Sequence, residues 1–406
     1  NQTVMSQLYC FGKKCLVIIL MLSGLGVAAQ GFRGQYSPAM KNTFFGVNIG
    51  SINYPFSTKQ LQPGNTVGSV KVTHTAVRLV LVGHEFNKHL SAQITYMRPV
   101  KWVEYRNVNN TNQTLTVWMN VAGLTVAGKL PLSKKITLYT EAGLGLIMRR
   151  GFNMNNQPVV KSASYATGLF GANLQYKFNH KWDFQIGTTY SPANNAELQP
   201  ATTFHSAGFH YTLRELTPER VNIVKKAGYH FPKQIMSIAY ATNALGYGVN
   251  RFVSQGAIPI FWGGEVKARH GLLLNYQHNL FHSRKVFSLD WGLQAGFWKT
   301  DRDGTNFFTL SAYPLMRFHT IRSKKTDFYL EYSVAGPSFI SKVKMDGLDT
   351  GEKFTFYDQM GMGIFTGKDK NLNLGLRIAH FSNGNLFPNN DGVMVPLTFS
   401  LGYSFR

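Results

Sequence analysis

The stretch AHFSNGNLFPNNDG, residues 379–392, carries the side chains best suited to chemistry in this chain. It places His380 and Ser382 two residues apart and follows them with a loop rich in glycine and asparagine. A serine beside a histidine can be an activated nucleophile, because the imidazole takes up the hydroxyl proton as the oxygen attacks. The same two residues also occur at ordinary strand ends, so the surrounding elements must decide between the two interpretations.

The elements around this stretch show the alternation of β-strands. Residues 286–297 place apolar side chains on one face and small or polar ones, including Asp290, on the other, and residues 136–146 repeat the pattern with Glu141. A soluble β-sandwich would rarely combine 14% aromatic residues with only 15% charged residues. The pattern therefore predicts an all-β fold, a transmembrane antiparallel β-barrel with its apolar face toward lipid.

The strands fall into two groups. We count about sixteen strands in two groups of eight. The first group begins near residue 43 and the second near residue 236. Residues 215–233 between the groups lack alternation and contain two prolines, which indicates a linker. We therefore predict two eight-stranded barrels in tandem, residues 30–214 and residues 234–406. One sixteen-stranded barrel, which would enclose an aqueous channel, is the alternative.

The N-terminus and the charge point to export and to an anionic surface. Residues 1–29 combine two lysines, a short apolar run and small residues at their end, as in a secretory signal peptide. Cys10 and Cys15 both lie in this segment, so the mature chain should have neither a disulfide nor a cysteine metal site. The net charge of +23 suggests an anionic partner. For an exported chain we expect a bacterial outer membrane and no nucleic acid.

His380 and Ser382 end the seventh strand of the second group. Because odd strands run outward from periplasmic termini, this strand ends at the cell surface. Its alternation puts His380 and Ser382 on the same face as Leu372, Leu374 and Leu376, which is the lipid-facing side. Polar side chains on a lipid-facing surface cost free energy, so their presence there indicates a function. A nucleophile at this position would suit an enzyme that attacks a lipid ester.

Three segments of this half resemble a known family, the PagL-type lipid A 3-O-deacylases, which are eight-stranded outer-membrane esterases. The segments are YLEYSVAGPSFIS (329–341), FTFYDQMGMGIF (354–365) and LGLRIAHFSNGNLFPNNDG (374–392). The last resembles the family's H-x-S-N…P-N…G signature. The N-terminal half resembles only a generic small outer-membrane barrel.

The resemblance implies a function and roles for single residues. It implies an outer-membrane esterase that removes an ester-linked acyl chain from lipid A of lipopolysaccharide, without cofactor or metal. Ser382 would be the nucleophile and His380 its general base. The residues implied to orient the site or stabilise the oxyanion are Asn383, Gly384 and either Asn389 or Asn390.

The acid of the triad departs from the family pattern. The family's acid stands two residues after the glycine that ends the signature, and here Met394 occupies that position. Strand pairing offers a replacement, because pairing Ile364 with Leu374 across the short turn sets Asp358 directly opposite His380. We therefore predict that Asp358 completes the site. The alternative is an aspartate that meets an arginine or a lipid head group at the membrane interface.

A different class of function stays open at this stage. With Met394 in the acid position, the chain could be a non-catalytic porin-like or adhesive barrel with a degenerate site. Residues 30–214 carry no motif that indicates their role. Lipid A and other outer-membrane lipids are the partners that we expect, and the sequence does not indicate an oligomeric state.

Overall fold

A computed structural model describes residues 35–254, 263–387 and 389–405. The predicted signal peptide with its two cysteines lies outside these residues. No helix in the described ranges is long and apolar enough to cross a bilayer.

The first half of the chain forms a closed antiparallel barrel of eight strands. Neighbours along the chain pair with each other, and the last strand pairs with the first. The strands are β1 (Thr43–Asn53), β2 (Thr75–Glu85), β3 (Leu90–Pro99), β4 (Thr114–Pro131), β5 (Ile136–Arg150), β6 (Ala163–Lys177), β7 (Trp182–Ser191) and β8 (Thr202–Thr212).

The second half forms another closed barrel with the same up-and-down order. Its first strand pairs with its last, which closes the sheet. The strands are β9 (Gln234–Thr242), β10 (Val266–His282), β11 (Phe287–Thr300), β12 (Asn306–Arg322), β13 (Asp327–Ile340), β14 (Phe354–Thr366), β15 (Leu372–Ser382) and β16 (Val393–Phe405). Two barrels in tandem are thus confirmed, and the single sixteen-stranded barrel is wrong.

Shorter elements lie in the loops and between the barrels. Within the described residues the helices are α1 (Pro218–Lys226) and α2 (Gly248–Phe252). Short strands lie at Ser69–Lys71, Val103–Arg106, Phe152–Met154, Gln157–Val160, Lys344–Met345 and Leu348–Asp349, and 3₁₀ turns at Pro38–Met40, Thr58–Gln60 and Val108–Asn110.

Helix α1 lies within the segment that lacks alternation. Thr217 caps its N-terminus, Pro218 opens it, and Lys225 and Lys226 occupy its last turn, an arrangement that satisfies both helix ends. None of its residues is buried. The sequence interpretation missed this helix because it has no apolar face to give a period.

Alternation along the strands separates an apolar outside from a polar inside. Leu144 and Phe297 point outward and are 62% and 67% exposed. Inside the first barrel, Arg78 Nη1 lies 2.7 Å from Glu141 Oε1. Inside the second barrel, the Glu331 carboxylate lies 3.5 Å from Arg317 Nε and 3.9 Å from Arg377 Nε. Arg317 also donates to the buried side chains of Asp290 and Gln277. Side chains therefore fill both interiors, as expected of eight-stranded barrels.

A segment that precedes β1 contacts both barrels at their periplasmic side. Tyr36 forms a bridge with Phe281 of the second barrel, and its hydroxyl donates to the carbonyl of Arg214, just after the first barrel. Gln35 Nε2 donates to the His282 carbonyl at 3.0 Å. These contacts join the barrels outside the connecting chain.

Candidate active site on the outward face of the second barrel

Strands β14 and β15 bring His380 and Asp358 together. Their register pairs Asp358 directly with His380 and Ile364 with Leu374, so the predicted register is confirmed. His380 Nε2 lies 3.5 Å from Asp358 Oδ2. Ser382 follows on the same outward face of β15, opposite Phe356. The three residues predicted for catalysis therefore share one face at the extracellular end of the barrel.

A β-bulge in β13 holds the carboxylate of Asp358. Val334 and Ala335 lie opposite Asp358, where the register of β13 with β14 shifts. Ala335 adopts a left-handed backbone with φ 56°, and its N–H donates to Asp358 Oδ1. This support was missed from the sequence. Its one signal was the Gly336–Pro337 pair inside a strand pattern.

Two hydrogen-bond donors converge on the hydroxyl of Ser382. The side-chain amide of Asn390 lies 3.1 Å from Ser382 Oγ, and the backbone N–H of Gly384 lies 3.2 Å from it. Asn390 Oδ1 also accepts the backbone N–H of Asn383 at 2.8 Å, which fixes the loop after β15. These donors can stabilise negative charge that develops next to the serine oxygen.

The other two asparagines support the loop. Asn383 is fully buried, and its side-chain amide donates to the carbonyls of Asn389 at 2.7 Å and Thr350 at 3.3 Å. The side-chain amide of Asn389 donates to Asp349 Oδ2 at 3.1 Å and so points away from the serine. Of the two asparagines that the sequence left open, Asn390 is the one that reaches the serine. The contribution of Asp349 and Thr350 had no signal in the sequence.

The outward face at this site is covered, which corrects the prediction that it faces lipid. Lower on β15, Leu374 is 38% exposed, whereas His380 is only 3% exposed. Outward residues of the first barrel are buried too, among them Met148 at 6%. Tyr96 of β3 lies within electrostatic range of Asp358. A side chain that points out of one barrel can only be buried by something outside it, and here the first barrel covers the site.

No group of three or more His, Cys, Asp or Glu residues that could hold a metal ion occurs in the part of the chain that the structure describes. The site instead contains two pairs in direct contact, the Ser382 hydroxyl with the Asn390 amide and the His380 imidazole with the Asp358 carboxylate.

Comparison with known proteins separates the two halves of the chain. Residues 263–404 match the family described as lipid A 3-O-deacylase (PagL), and residues 38–213 match the OmpA-like transmembrane domain. A search of curated proteins finds no match.

Several solved outer-membrane barrels are similar to about 42% of this chain. The outer-membrane enzyme PagL is 15% identical, with 42% of this chain and 99% of that chain covered and a TM-score of 0.31. The N-terminal barrel of Pseudomonas aeruginosa OprF is 13% identical, with coverage of 42% and 98% and a TM-score of 0.26. Ail of Yersinia pestis is 12% identical, with coverage of 42% and 100% and a TM-score of 0.26.

Both matching families are outer-membrane barrels, in agreement with the apolar outer surfaces and filled interiors. The chain is a bacterial outer-membrane protein whose C-terminal barrel resembles the PagL deacylases and whose N-terminal barrel resembles the OmpA-like transmembrane domains.

Proposed function

We propose that this protein is an outer-membrane esterase that removes an ester-linked acyl chain from lipid A of lipopolysaccharide. The family match of residues 263–404 supports the substrate and the reaction class. The observation that carries the proposal is that Ser382, His380 and Asp358 share one outward face of the barrel at its extracellular end. Lipid A lies in the outer leaflet, at the level of these strand ends.

Ser382 acts as the nucleophile. Its oxygen attacks the ester carbonyl while His380 takes up the hydroxyl proton. The tetrahedral intermediate then expels the sugar hydroxyl, which regains a proton from His380. Water hydrolyses the acyl-serine by the same steps, and the products are a free fatty acid and a lipid A with one chain fewer.

Asn390 and Gly384 stabilise the oxyanion. Their N–H groups already donate to the serine oxygen at 3.1 and 3.2 Å. When the serine moves to attack, both N–H groups can donate to the carbonyl oxygen of the ester instead. The hydrogen bonds of Asn383 hold the loop that carries them. The donors are thus oriented before the substrate arrives.

Asp358 on β14 replaces the family's acid, whose position on β16 is occupied by Met394. Met394 of β16 lies opposite His380 on one side, and Asp358 of β14 lies opposite on the other. A carboxylate on either neighbouring strand can orient the imidazole and stabilise its charged form. Because Asp358 approaches Nε2, the Nδ1 atom is the one that receives the serine proton.

We also propose the division of the chain that the sequence predicted. Residues 1–29 are removed on export, residues 30–214 and 234–406 are two domains, and residues 215–233 connect them. The strand bounds support this division, because the first barrel ends at Thr212 and the second begins at Gln234.

A second candidate function rests on Met394. If the acid of the family is indispensable at that position, the site is degenerate and the protein is a non-catalytic barrel with an adhesive role. The loop contacts around Ser382 would then serve only to hold the loop.

Incubation of the purified full chain with lipopolysaccharide in detergent tests the proposal. Mass spectrometry should detect a free 3-hydroxy fatty acid and a matching mass loss in the lipid A. Ser382→Ala should abolish both signals, whereas Ser237→Ala, at a serine inside the same barrel and near its periplasmic end, should not. No release by the wild type over a range of pH and detergent would favour the non-catalytic barrel.

A further inference from the structure

A cavity of about 590 Å³ lies between the extracellular loops of the two barrels. The first barrel lines it with residues that include Trp118 and Arg150, and the second with residues that include Phe387 and Asn390. Asn390 is also the residue whose amide contacts Ser382 Oγ. The cavity therefore begins one side chain away from the proposed nucleophile.

The first barrel presents two stacked tryptophans between two arginines near this cavity. The guanidinium of Arg98 lies 4.7 Å from the ring centre of Trp102, which stacks on Trp118 at 4.9 Å with an interplanar angle of 6°. Arg150 lies 5.7 Å from the ring of Trp118. Aromatic faces are electron-rich and suit the C–H groups of a sugar ring, and guanidinium groups suit phosphate.

Arg150 differs from its neighbour Arg149 in being exposed. The guanidinium of Arg149 is buried and donates to the carbonyls of Lys161 at 3.1 Å and Glu197 at 2.7 Å. Arg150 is exposed, and within the described residues no carboxylate forms an ion pair with it. Its planar fork is therefore available for a bidentate contact with an anion.

One acidic residue, Asp391, also lines the cavity. Its carboxylate accepts the backbone N–H of Asp349 at 2.7 Å. The carboxylate of Asp349 in turn accepts from the Asn389 amide. Arg149 and Arg150 both line the cavity, so its wall carries two cationic side chains and one acidic side chain.

The position of the cavity also limits what can occupy it. An acyl chain that reaches Ser382 must lie along the membrane-embedded side of the barrel, where Leu372 and Leu374 are exposed. The sugar that carries this chain must then lie level with the extracellular loops. The group that the cavity faces is therefore the polar head of the lipid.

We propose that the cavity binds the phosphorylated sugar head group of the lipid substrate, with Arg150 on a phosphate and Trp118 against a sugar ring. This inference rests on the proposed function. It gives the first barrel, whose role the sequence leaves open, the task of selecting the substrate that the second barrel hydrolyses.

Calorimetric titration of the full chain in neutral detergent tests the inference. The Ser382→Ala background prevents turnover, and the ligands are bis-phosphorylated lipid A, the same lipid without phosphates, and phosphatidylglycerol. We expect binding of the phosphorylated lipid A to be roughly tenfold tighter than that of the other two, since hydrogen bonds to charged groups are the strong ones. Arg150→Gln should remove this difference, and Arg284→Gln, in an exposed periplasmic turn, should leave it unchanged.

Each contrary result has a separate meaning. Equal binding of lipid A with and without phosphates, or an Arg150→Gln variant that binds like its parent, would overturn the inference even if the wild type hydrolyses lipid A. Equal binding of phosphatidylglycerol would reduce the site to a general anion site and would also overturn it. Selective binding without any hydrolysis by the wild type would refute the proposed esterase and leave the head-group site in place. Trp118→Ala, checked for an intact barrel by gel mobility before and after heating, should weaken binding of both forms of lipid A.

Discussion

At the scale of single residues, the contacts of Ser382 with Asn390 and Gly384 make the serine the most informative position to change. We expect Ser382→Ala and His380→Ala each to lower turnover by about 10⁴-fold or more, because the two act as one unit. The double variant should be little worse than either single one. Rates from fatty-acid release measure this, and small additive effects would contradict a Ser-His unit.

Asp358 should matter through the histidine. Asp358→Asn keeps the shape of the side chain but removes the charge that stabilises the imidazolium, so turnover should fall by roughly 10²- to 10⁴-fold. Asp303→Asn, in an exposed loop, is the matched control. Activity of the Asp358 variant within about threefold of wild type would refute the orienting role and leave a Ser-His dyad.

The sequence could predict which residues pair across β14 and β15 because one pair fixes the register of the whole antiparallel ladder. Once one pair near a short turn is set, every other pair follows, and Asp358 falls opposite His380. The hydrogen bond from the Ala335 N–H to Asp358 could not be predicted in this way. A bulge changes the register by one residue, and alternation alone does not reveal where it lies.

At the scale of the element, the bulge in β13 sets the position of the carboxylate. Ala335 has φ 56°, a conformation that costs residues with a side chain roughly 1–2 kcal/mol and glycine nothing. Ala335→Gly should therefore retain activity. Ala335→Val should lower it by about tenfold or more, because a branched side chain resists this conformation and moves the N–H that holds Asp358. Equal activity of both variants would show that the bulge does not support the site.

Alternation predicts the barrel strands because lipid on one side and a polar interior on the other impose a period of two. It does not predict the short strands at Ser69–Lys71 and Val103–Arg106, which extend the sheet beyond the membrane. Strands of three and four residues are too short for the alternation to stand out, although Val103 and Tyr105 are buried. The helix α1 was missed because none of its faces is buried.

At the scale of the whole molecule, two filled barrels should conduct almost no ions. The buried pair of Arg78 with Glu141 and the network around Glu331 occupy the two lumens. Reconstituted into planar bilayers, the protein should give baseline current under conditions in which a sixteen-stranded porin gives steps. Steady single-channel steps would contradict closed interiors. The number of barrels followed from strand counts and a break in the pattern, but the burial of the His380 face between them had no sequence signal.

The burial of His380 by the first barrel has a consequence for how the reaction rate depends on the concentration of lipid A. The lumen is closed and the head-group cavity is polar, so we expect the acyl chain to reach Ser382 by lateral diffusion of the lipid within the leaflet. The effective concentration is then two-dimensional. In mixed micelles, the rate should follow the mole fraction of lipid A in the surface and stay constant when micelles of fixed composition are diluted, above the concentration at which micelles saturate the protein. A rate that instead tracked bulk lipid A concentration at fixed mole fraction would indicate capture from water through the cavity between the extracellular loops.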